Sequence, residues 1–279
     1  MQIVRESMAL HQSVRDLRAN GDRLALVPTM GALHDGHLAL VEEAKRRADR
    51  VIATIFVNPT QFNDPADLER YPRNEAEDVA KLDEAGCDLV WVPSVGDVYP
   101  DGFATTVRVT GISDGWEGEH RPGHFDGVAT VVAKLLIAAM PDLAIFGEKD
   151  FQQLAVIRRM ALDLGLPVEI VGHETVREPD GLAMSSRNSL LSVAERGEAP
   201  RLFEALSAAA RRIASDVSVD SAVIEAKAAL GRAGFGPVDY FAYVDGNTFE
   251  PLEVKRPGGR LIAAAYLGKV RLIDNVRVD

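Results

Sequence analysis

The hydrophobic pattern of the first 176 residues alternates between two periods. Arg23–Val27 is a short apolar strand, and Pro28 to Gly36 is a glycine-containing turn. Leu38, Val41, Ala44 and Ala48 then repeat at helical spacing, which predicts a helix over Leu38–Ala48. Val51–Val57 is a continuous β-branched run, the signature of a strand covered on both faces. This strand–helix–strand unit predicts a right-handed crossover in a parallel sheet. The pattern recurs: a helix at Glu75–Ala85, strands at Asp88–Val92 and Thr105–Val109, then a loop rich in glycine, histidine and acids. A buried helix follows at Phe125–Met140, closed by Pro141, then a strand at Leu143–Phe146, a helix at Phe151–Leu164 stopped by Gly165, and a strand at Val168–Val171. Alternation of this kind predicts an α/β domain with a Rossmann-like, doubly wound parallel sheet.

Beyond Val176 the texture changes. Glu178-Pro-Asp-Gly181 is a turn, and Glu195–Ala214 and Ser221–Ala233 are alanine-rich helical stretches. Tyr240–Val244, Leu261–Leu267 and Val270–Val276 carry strand patterns. Helices followed by strands predict a smaller α+β C-terminal domain. The boundary falls near residue 176, giving domains 1–176 and 177–279. No internal repeat or low-complexity segment interrupts either.

Charge sharpens this division. The net charge is −11. Residues 1–176 hold 17 basic and 28 acidic side chains, a balance of −11, whereas residues 177–279 hold 14 of each. A surface of this kind offers no basic patch for a nucleic-acid backbone, so no nucleic-acid partner is expected. The longest apolar stretch, Val128–Met140, is broken by Lys134 and too short to span a bilayer. The N-terminal residues lack the apolar region of a signal peptide, so no membrane partner and a cytoplasmic location are expected. The single cysteine, Cys87, precludes an intrachain disulfide and reads as a small buried hydrophobe. Trp91 and Trp116 read as packing residues.

The strongest chemical signal is Pro28-Thr-Met-Gly-Ala-Leu-His34-Asp-Gly-His37, placed between the first strand and its helix. Open α/β sheets bind ligands at the carboxyl ends of their strands. A helix N-terminus there favours phosphate. Gly36 removes a side chain between the two histidines, which sit about one helical turn apart and can donate to a phosphate whose charge grows in the transition state. No third ligand accompanies them at zinc-like spacing. Neither a Gly-x-Gly-x-x-Gly fingerprint nor a Walker lysine motif occurs.

His34-Asp-Gly-His37 resembles the His-x-Gly-His signature of the nucleotidyltransferase superfamily, and Met184-Ser-Ser-Arg-Asn188 resembles its mobile second signature. Phe56–Phe62, Gly118–Val132 and Phe146–Leu154 narrow the resemblance to the pantoate–β-alanine ligase (pantothenate synthetase) family. The five blocks run in order from residue 28 to 188.

The resemblance implies ATP-dependent ligation of pantoate and β-alanine through a pantoyl adenylate, releasing pyrophosphate and then AMP. It implies His37, His34 and Lys149 as catalytic groups. ATP would be bound by Met30, Gly31, Ala32, Leu33, His34, Asp35, Gly36 and His37, by Gly147, Glu148, Lys149 and Asp150, and by Val176, Met184, Ser185, Ser186 and Arg187. Gln61 and Gln153 would hold pantoate, and Gln61 also β-alanine. A carboxamide suits this task because it donates and accepts without adding charge. Asn58 would buttress the Gln61 loop, and the Gly118–His124 loop would cover the site, with no role assigned to His120, Arg121 or His124. Mg2+ would accompany ATP, with Asp78 and Glu77 as ligands and Asp150 as a further candidate; many members carry Asp where Glu77 stands. The first domain would bind nucleotide and pantoate, the second would act as a lid, and the enzyme would be a homodimer. A nucleotidylyltransferase acting on a phosphorylated acceptor is the alternative, since the two histidines serve it equally. An aminoacyl-tRNA synthetase-like protein is disfavoured by the acidic surface. A catalytically dead nucleotide sensor is disfavoured by the presence of His34, His37 and Lys149.

Overall fold

A computed structural model describes residues 1–279. The chain divides into two compact units. The first comprises Met1–Ser113, Arg121–Glu148 and Gln153–Glu174; the second comprises Asp114–His120, Lys149–Gln152 and Thr175–Asp279. Two short stretches of the N-terminal sequence thus group with the C-terminal unit.

The first unit is built on six strands: β1 (Gln2–Val4), β2 (Leu24–Thr29), β3 (Arg50–Ile55), β4 (Leu89–Trp91), β5 (Leu143–Gly147) and β6 (Glu169–His173). All pair in parallel, in the order β1-β4-β3-β2-β5-β6. Helices α1 (Ser7–Leu17), α2 (Asp35–Arg47), α3 (Pro65–Arg70), α4 (Glu75–Glu84), α5 (Val95–Val98), α7 (His124–Ala139) and α8 (Phe151–Asp163) connect them, α8 starting in the stretch that groups with the second unit; α6 (Glu117–His120) lies in the second unit. The two-residue alternation of a strand splits the core by sheet face. Leu24, Leu26, Ile52 and Leu89 pack with α1, α7 and α8, while Ala25, Val27, Val51, Ala53 and Val90 pack with α2 and α4. Helix α7 is buried almost all round, which explains its near-continuous apolar sequence.

Two sequence expectations change here. Thr105–Val109 is not a strand. The edge next to β4 is taken by β1, and the apolar positions Val107 and Val109 pack instead onto the α7 side of the core, with Val107 N donating to Thr130 Oγ1 at 2.9 Å. The elements β1 and α1, not anticipated from the pattern, supply that edge and its cover.

The second unit carries α9 (Val193–Glu198), α10 (Arg201–Ala214) and α11 (Val219–Arg232) against an antiparallel sheet of β7 (Phe235–Asp245), β8 (Gly259–Leu267) and β9 (Val270–Arg277). The single helix expected over Glu195–Ala214 is two, broken at Ala199-Pro200. Proline cannot supply the N–H that continues a helix and clashes with the preceding turn. Strand β7 begins earlier than its apolar run because Gly236-Pro237 is accommodated by register shifts flanking Val238. Buried charge ties the Asp114–His120 stretch into this unit. Arg271 reaches Glu117 at 2.8 Å and Asp239 at 2.7 Å, and Tyr240 OH donates to Glu117 at 3.0 Å. Burial would lower the Arg271 guanidinium, but the Glu117 and Asp239 carboxylates outweigh it and raise it above its ordinary value. Burial, then the neighbouring Glu117 charge, pushes the Tyr240 hydroxyl well up.

Candidate active site

Strands β2 and β5 are hydrogen-bonded neighbours from which the chain departs to opposite sides of the sheet, β2 toward β3 and β5 toward β6. Such a reversal opens a crevice at the strands' carboxyl ends. Strand β2 ends at Thr29 and leads into the His34–His37 turn; β5 ends at Gly147 and leads into the 3-10 turn Glu148–Asp150. The two sequence blocks of greatest chemical interest therefore follow the two strands of the switch point.

The turn after β2 is shaped by its backbone. Thr29 Oγ1 donates to Thr54 O at 2.5 Å and accepts from Gly31 N at 3.3 Å. Gly31 and Ala32 both adopt left-handed conformations, φ 80° and 50°. At Gly31 a Cβ would lie 2.9 Å from Asp78 Oδ2, so glycine is needed for space as well as for φ. His34 is the N-cap of α2. Its Nδ1 accepts from Gly36 N at 3.2 Å, and His37 Nδ1 accepts from His34 N at 3.4 Å. This reciprocal arrangement is a capping box made of two imidazoles, whose ring centroids are 4.1 Å apart. Because both Nδ1 atoms accept from the backbone, each neutral ring carries its proton on Nε2. The pair thus offers two Nε2–H donors at a helix N-terminus, a setting that favours an anion.

Asp78 does something its sequence position did not announce. Its carboxylate is 2% exposed and receives two main-chain amides, Ala32 N at 2.8 Å and Leu33 N at 2.7 Å. It is the clamp that holds the left-handed turn. Glu77 is bound elsewhere, to Lys81 Nζ at 2.7 Å and Asn74 Nδ2 at 2.6 Å. The hydrogen bond from Lys81, followed by its charge, holds the Glu77 carboxyl below its ordinary range. No group of three histidine, cysteine or acidic side chains forms a cluster able to hold a metal ion.

Gln61 lies on the 3-10 turn Pro59–Gln61, and its Nε2 points to Met30 Sδ at 3.2 Å. Asn58, 1% exposed, fixes this turn with every polar atom of its side chain: Nδ2 donates to Gln61 Oε1 and Gly127 O, and Oδ1 accepts from Thr60 Oγ1 and Tyr99 OH. The far side of the turn is held by His124 and Arg121. His124 Nδ1 donates to Gln61 O at 2.8 Å, and Arg121 Nη2 donates to the same carbonyl at 3.2 Å. Since a carbonyl only accepts, His124 carries its proton on Nδ1, and its Nε2 takes Arg121 Nη1 at 3.3 Å. Gly127 lets α7 approach this closely, for a Cβ there would sit 2.5 Å from Thr60 O. The Gly118–His124 block was visible in the sequence; its use as a clamp on Gln61 depends on a contact spanning 63 positions.

Gln152 and Gln153 separate as neighbours on a helix should. Gln152 is 7% exposed and committed to the second unit, donating to Gly115 O and accepting from Glu117 N. Gln153, one position on, is half-buried and groups with the first unit. In the second unit, Lys149 Nζ lies 3.6 Å from Asp150 Oδ2. Val176 and Met184 close a short hairpin, with Met184 N donating to Val176 O at 3.0 Å and Arg177 bridging Ala183. Ser185 then caps the 3-10 turn Ser186–Leu190 by accepting from Arg187 N. Cys87 is buried, and burial pushes its thiol up to about 12, so it takes no part in nucleophilic chemistry.

A family model described as pantoate-beta-alanine ligase matches residues 2–277. A pantothenate synthetase of Rhizorhabdus wittichii is 54% identical over the whole chain and 99% of its own length. Among solved structures, a pantothenate synthetase from Thermus thermophilus is 48% identical with a TM-score of 0.95, covering 100% of this chain and 99% of its own. A pantoate-beta-alanine ligase from Francisella tularensis, complexed with beta-gamma ATP and beta-alanine, is 35% identical with a TM-score of 0.82, covering 99% and 97%.

Proposed function

Because the chain belongs to the pantoate–β-alanine ligase family, we propose that it joins pantoate to β-alanine through a pantoyl adenylate, with the His34–His37 turn stabilising the reacting phosphate. The observation that carries this reading is the contact between Gln61 Nε2 and Met30 Sδ. It brings the carboxamide suited to holding the acid beside the turn suited to holding the phosphate.

In the first step the pantoate carboxylate attacks the α-phosphorus of ATP and pyrophosphate leaves. In the second the β-alanine amine attacks the acyl carbonyl and AMP leaves. Neither step requires a nucleophilic side chain, so the protein's work is orientation and charge stabilisation. His34 and His37 donate from Nε2 to phosphate oxygens. Lys149 supplies a fixed cation, and Ser185, Ser186 and Arg187 supply hydroxyls and a guanidinium to the departing phosphates. Met30–Leu33, Asp35, Gly36, Gly147, Glu148, Asp150, Val176 and Met184 complete the nucleotide contacts. Gln61 and Gln153 hold pantoate, and Gln61 also meets β-alanine. Mg2+ would accompany ATP and would supply charge neutralisation to its phosphates; Asp78 is buried with both oxygens on amides and Glu77 is paired with Lys81, so neither side chain fits the part of its ligand. This reading places the reaction in the cytoplasm, on a homodimer; no helix is long and apolar enough to cross a membrane.

The test is isotope exchange between pyrophosphate and ATP, with Mg2+ and pantoate but without β-alanine. Exchange that requires pantoate is expected, followed by AMP release when β-alanine is added. Exchange without pantoate, or exchange that begins only once β-alanine is present, overturns the adenylate route.

A further inference from the structure

Strand β9 contains Leu272-Ile-Asp-Asn-Val276, and the two polar residues of that run are buried, Asp274 and Asn275 each 4% exposed. A buried carboxylate or carboxamide is costly unless its hydrogen bonds are met, so the use of these two side chains calls for explanation. Both reach beyond their own sheet. Asn275 Nδ2 donates to the main-chain carbonyl of Lys149 at 3.0 Å, and its Oδ1 accepts from Arg260 Nε at 2.5 Å. The Arg260 guanidinium lies 3.7 Å over the ring of Phe151, two residues beyond Lys149. Asp274 takes both terminal nitrogens of Arg177, at 2.6 and 3.0 Å. Arg177 also donates to Gly181 O at 3.1 Å and bridges Ala183, one residue before Met184-Ser-Ser-Arg187.

Successive side chains leave opposite faces of a strand. Two adjacent residues of β9 therefore reach in two directions, one to the segment bearing Lys149 and one to the hairpin that delivers Ser185, Ser186 and Arg187. All of these residues belong to the second unit. We propose that Asp274 and Asn275 are positioning residues of the ligation, setting the spacing between the Lys149 cation and the Ser185–Arg187 segment. The residue types suit the task. A carboxamide can donate to a carbonyl while accepting from a guanidinium, and a carboxylate can take an arginine in bidentate fashion. Groups that stabilise a transition state act only when held close to the productive geometry by such supporting contacts. The inference rests on the reading of Lys149 as a phosphate-binding cation.

Asn275→Asp keeps the acceptor for Arg260 and removes the donor for Lys149. In pantoate-dependent pyrophosphate–ATP exchange its kcat should fall about 10–100-fold, as misplacement of a group near the chemistry does. The melting temperature should fall, because the new carboxylate is buried against the Lys149 carbonyl; measured well below that transition, the KM for pantoate should stay near wild type, which a general loss of structure would not allow. Because Asn275 acts through Lys149, the double variant Lys149→Ala/Asn275→Asp should be no slower than Lys149→Ala alone. If Asn275→Asp does not fold, Asn275→Ala carries the same cycle. Wild-type kcat in the folded Asn275 variant, beside an inactive Lys149→Ala, overturns the positioning role alone. Full additivity in the double variant overturns it as well. Wild-type turnover in Lys149→Ala overturns the phosphate reading of Lys149 itself.

Discussion

The His34–His37 turn and the Lys149 segment are proposed to serve the same phosphates, yet they are held in different ways. The turn is shaped by its own backbone: left-handed residues at Gly31 and Ala32, two imidazoles capping one another's amides, and a single outside carboxylate, Asp78. Lys149 is supported from a distance instead. Its carbonyl is fixed by Asn275, 126 positions away, and the first turn of α8, which follows it, is anchored through Gln152 to Gly115 and Glu117. A neutral hydrogen-bond donor at a helix N-terminus needs a particular ring orientation, which neighbouring amides can set. A long flexible ammonium side chain needs its backbone set first, and a strand on a different sheet can do that.

The comparison can be broken from its stronger side first. His37→Ala should fold and lower pantoate-dependent pyrophosphate–ATP exchange by about 100–1000-fold, as loss of one transition-state donor does. His34→Ala should behave alike, with an added loss of helix stability from the missing cap of about 1 kcal/mol. Turnover near wild type in either variant would remove the turn from the mechanism. Asp78→Ala should take the carboxylate partner from the Ala32 and Leu33 amides, the second of them buried, at a cost of about 1–3 kcal/mol read by denaturant unfolding. Asp78→Ala with unchanged stability would show that the turn holds its shape unaided. Gly127→Ala places a methyl group against the Thr60 carbonyl and should cost about 1–3 kcal/mol. It should also raise the KM for pantoate, since the displaced turn carries Gln61; an unchanged KM would separate Gln61 from pantoate.

The last effect comes from a residue in neither region and is confined to alkaline pH. The Cys87 thiol is pushed up by burial from 9.0 to about 12. The folded protein therefore keeps its proton where the unfolded chain loses it, and stability should decline as pH rises from about 9 toward 12. Iodoacetamide at pH 8 should leave the folded enzyme unlabelled, and rapid labelling would contradict the burial.

The same contrast governs what the residues disclose before folding. The parallel sheet, the β2–turn–α2 unit and the paired histidines were legible because each is contiguous, with period, turn and motif in one stretch. Thr105–Val109 misled because an apolar alternation fits a strand and an extended segment packed on a helix equally well. Pro200 was a visible breaker, yet the alanine-rich pattern on both sides of it read as one helix. Asp78 carried an acid's charge but not its target, and only the fold shows that two amides occupy it. His124 and Asn275 lay in plain view, but the carbonyls they hold belong to Gln61 and Lys149, and no local spacing encodes a contact of that range.

Position 31 is where two independent restrictions coincide: a backbone angle that disfavours side chains and an Asp78 oxygen in the space a Cβ would fill. Relief of one leaves the other in force, so a single codon change there cannot be accommodated by trimming a neighbour. An inhibitor shaped to the backbone course that Gly31 sets would therefore face a contour the enzyme has little means of altering, and escape would have to arise elsewhere in the sequence.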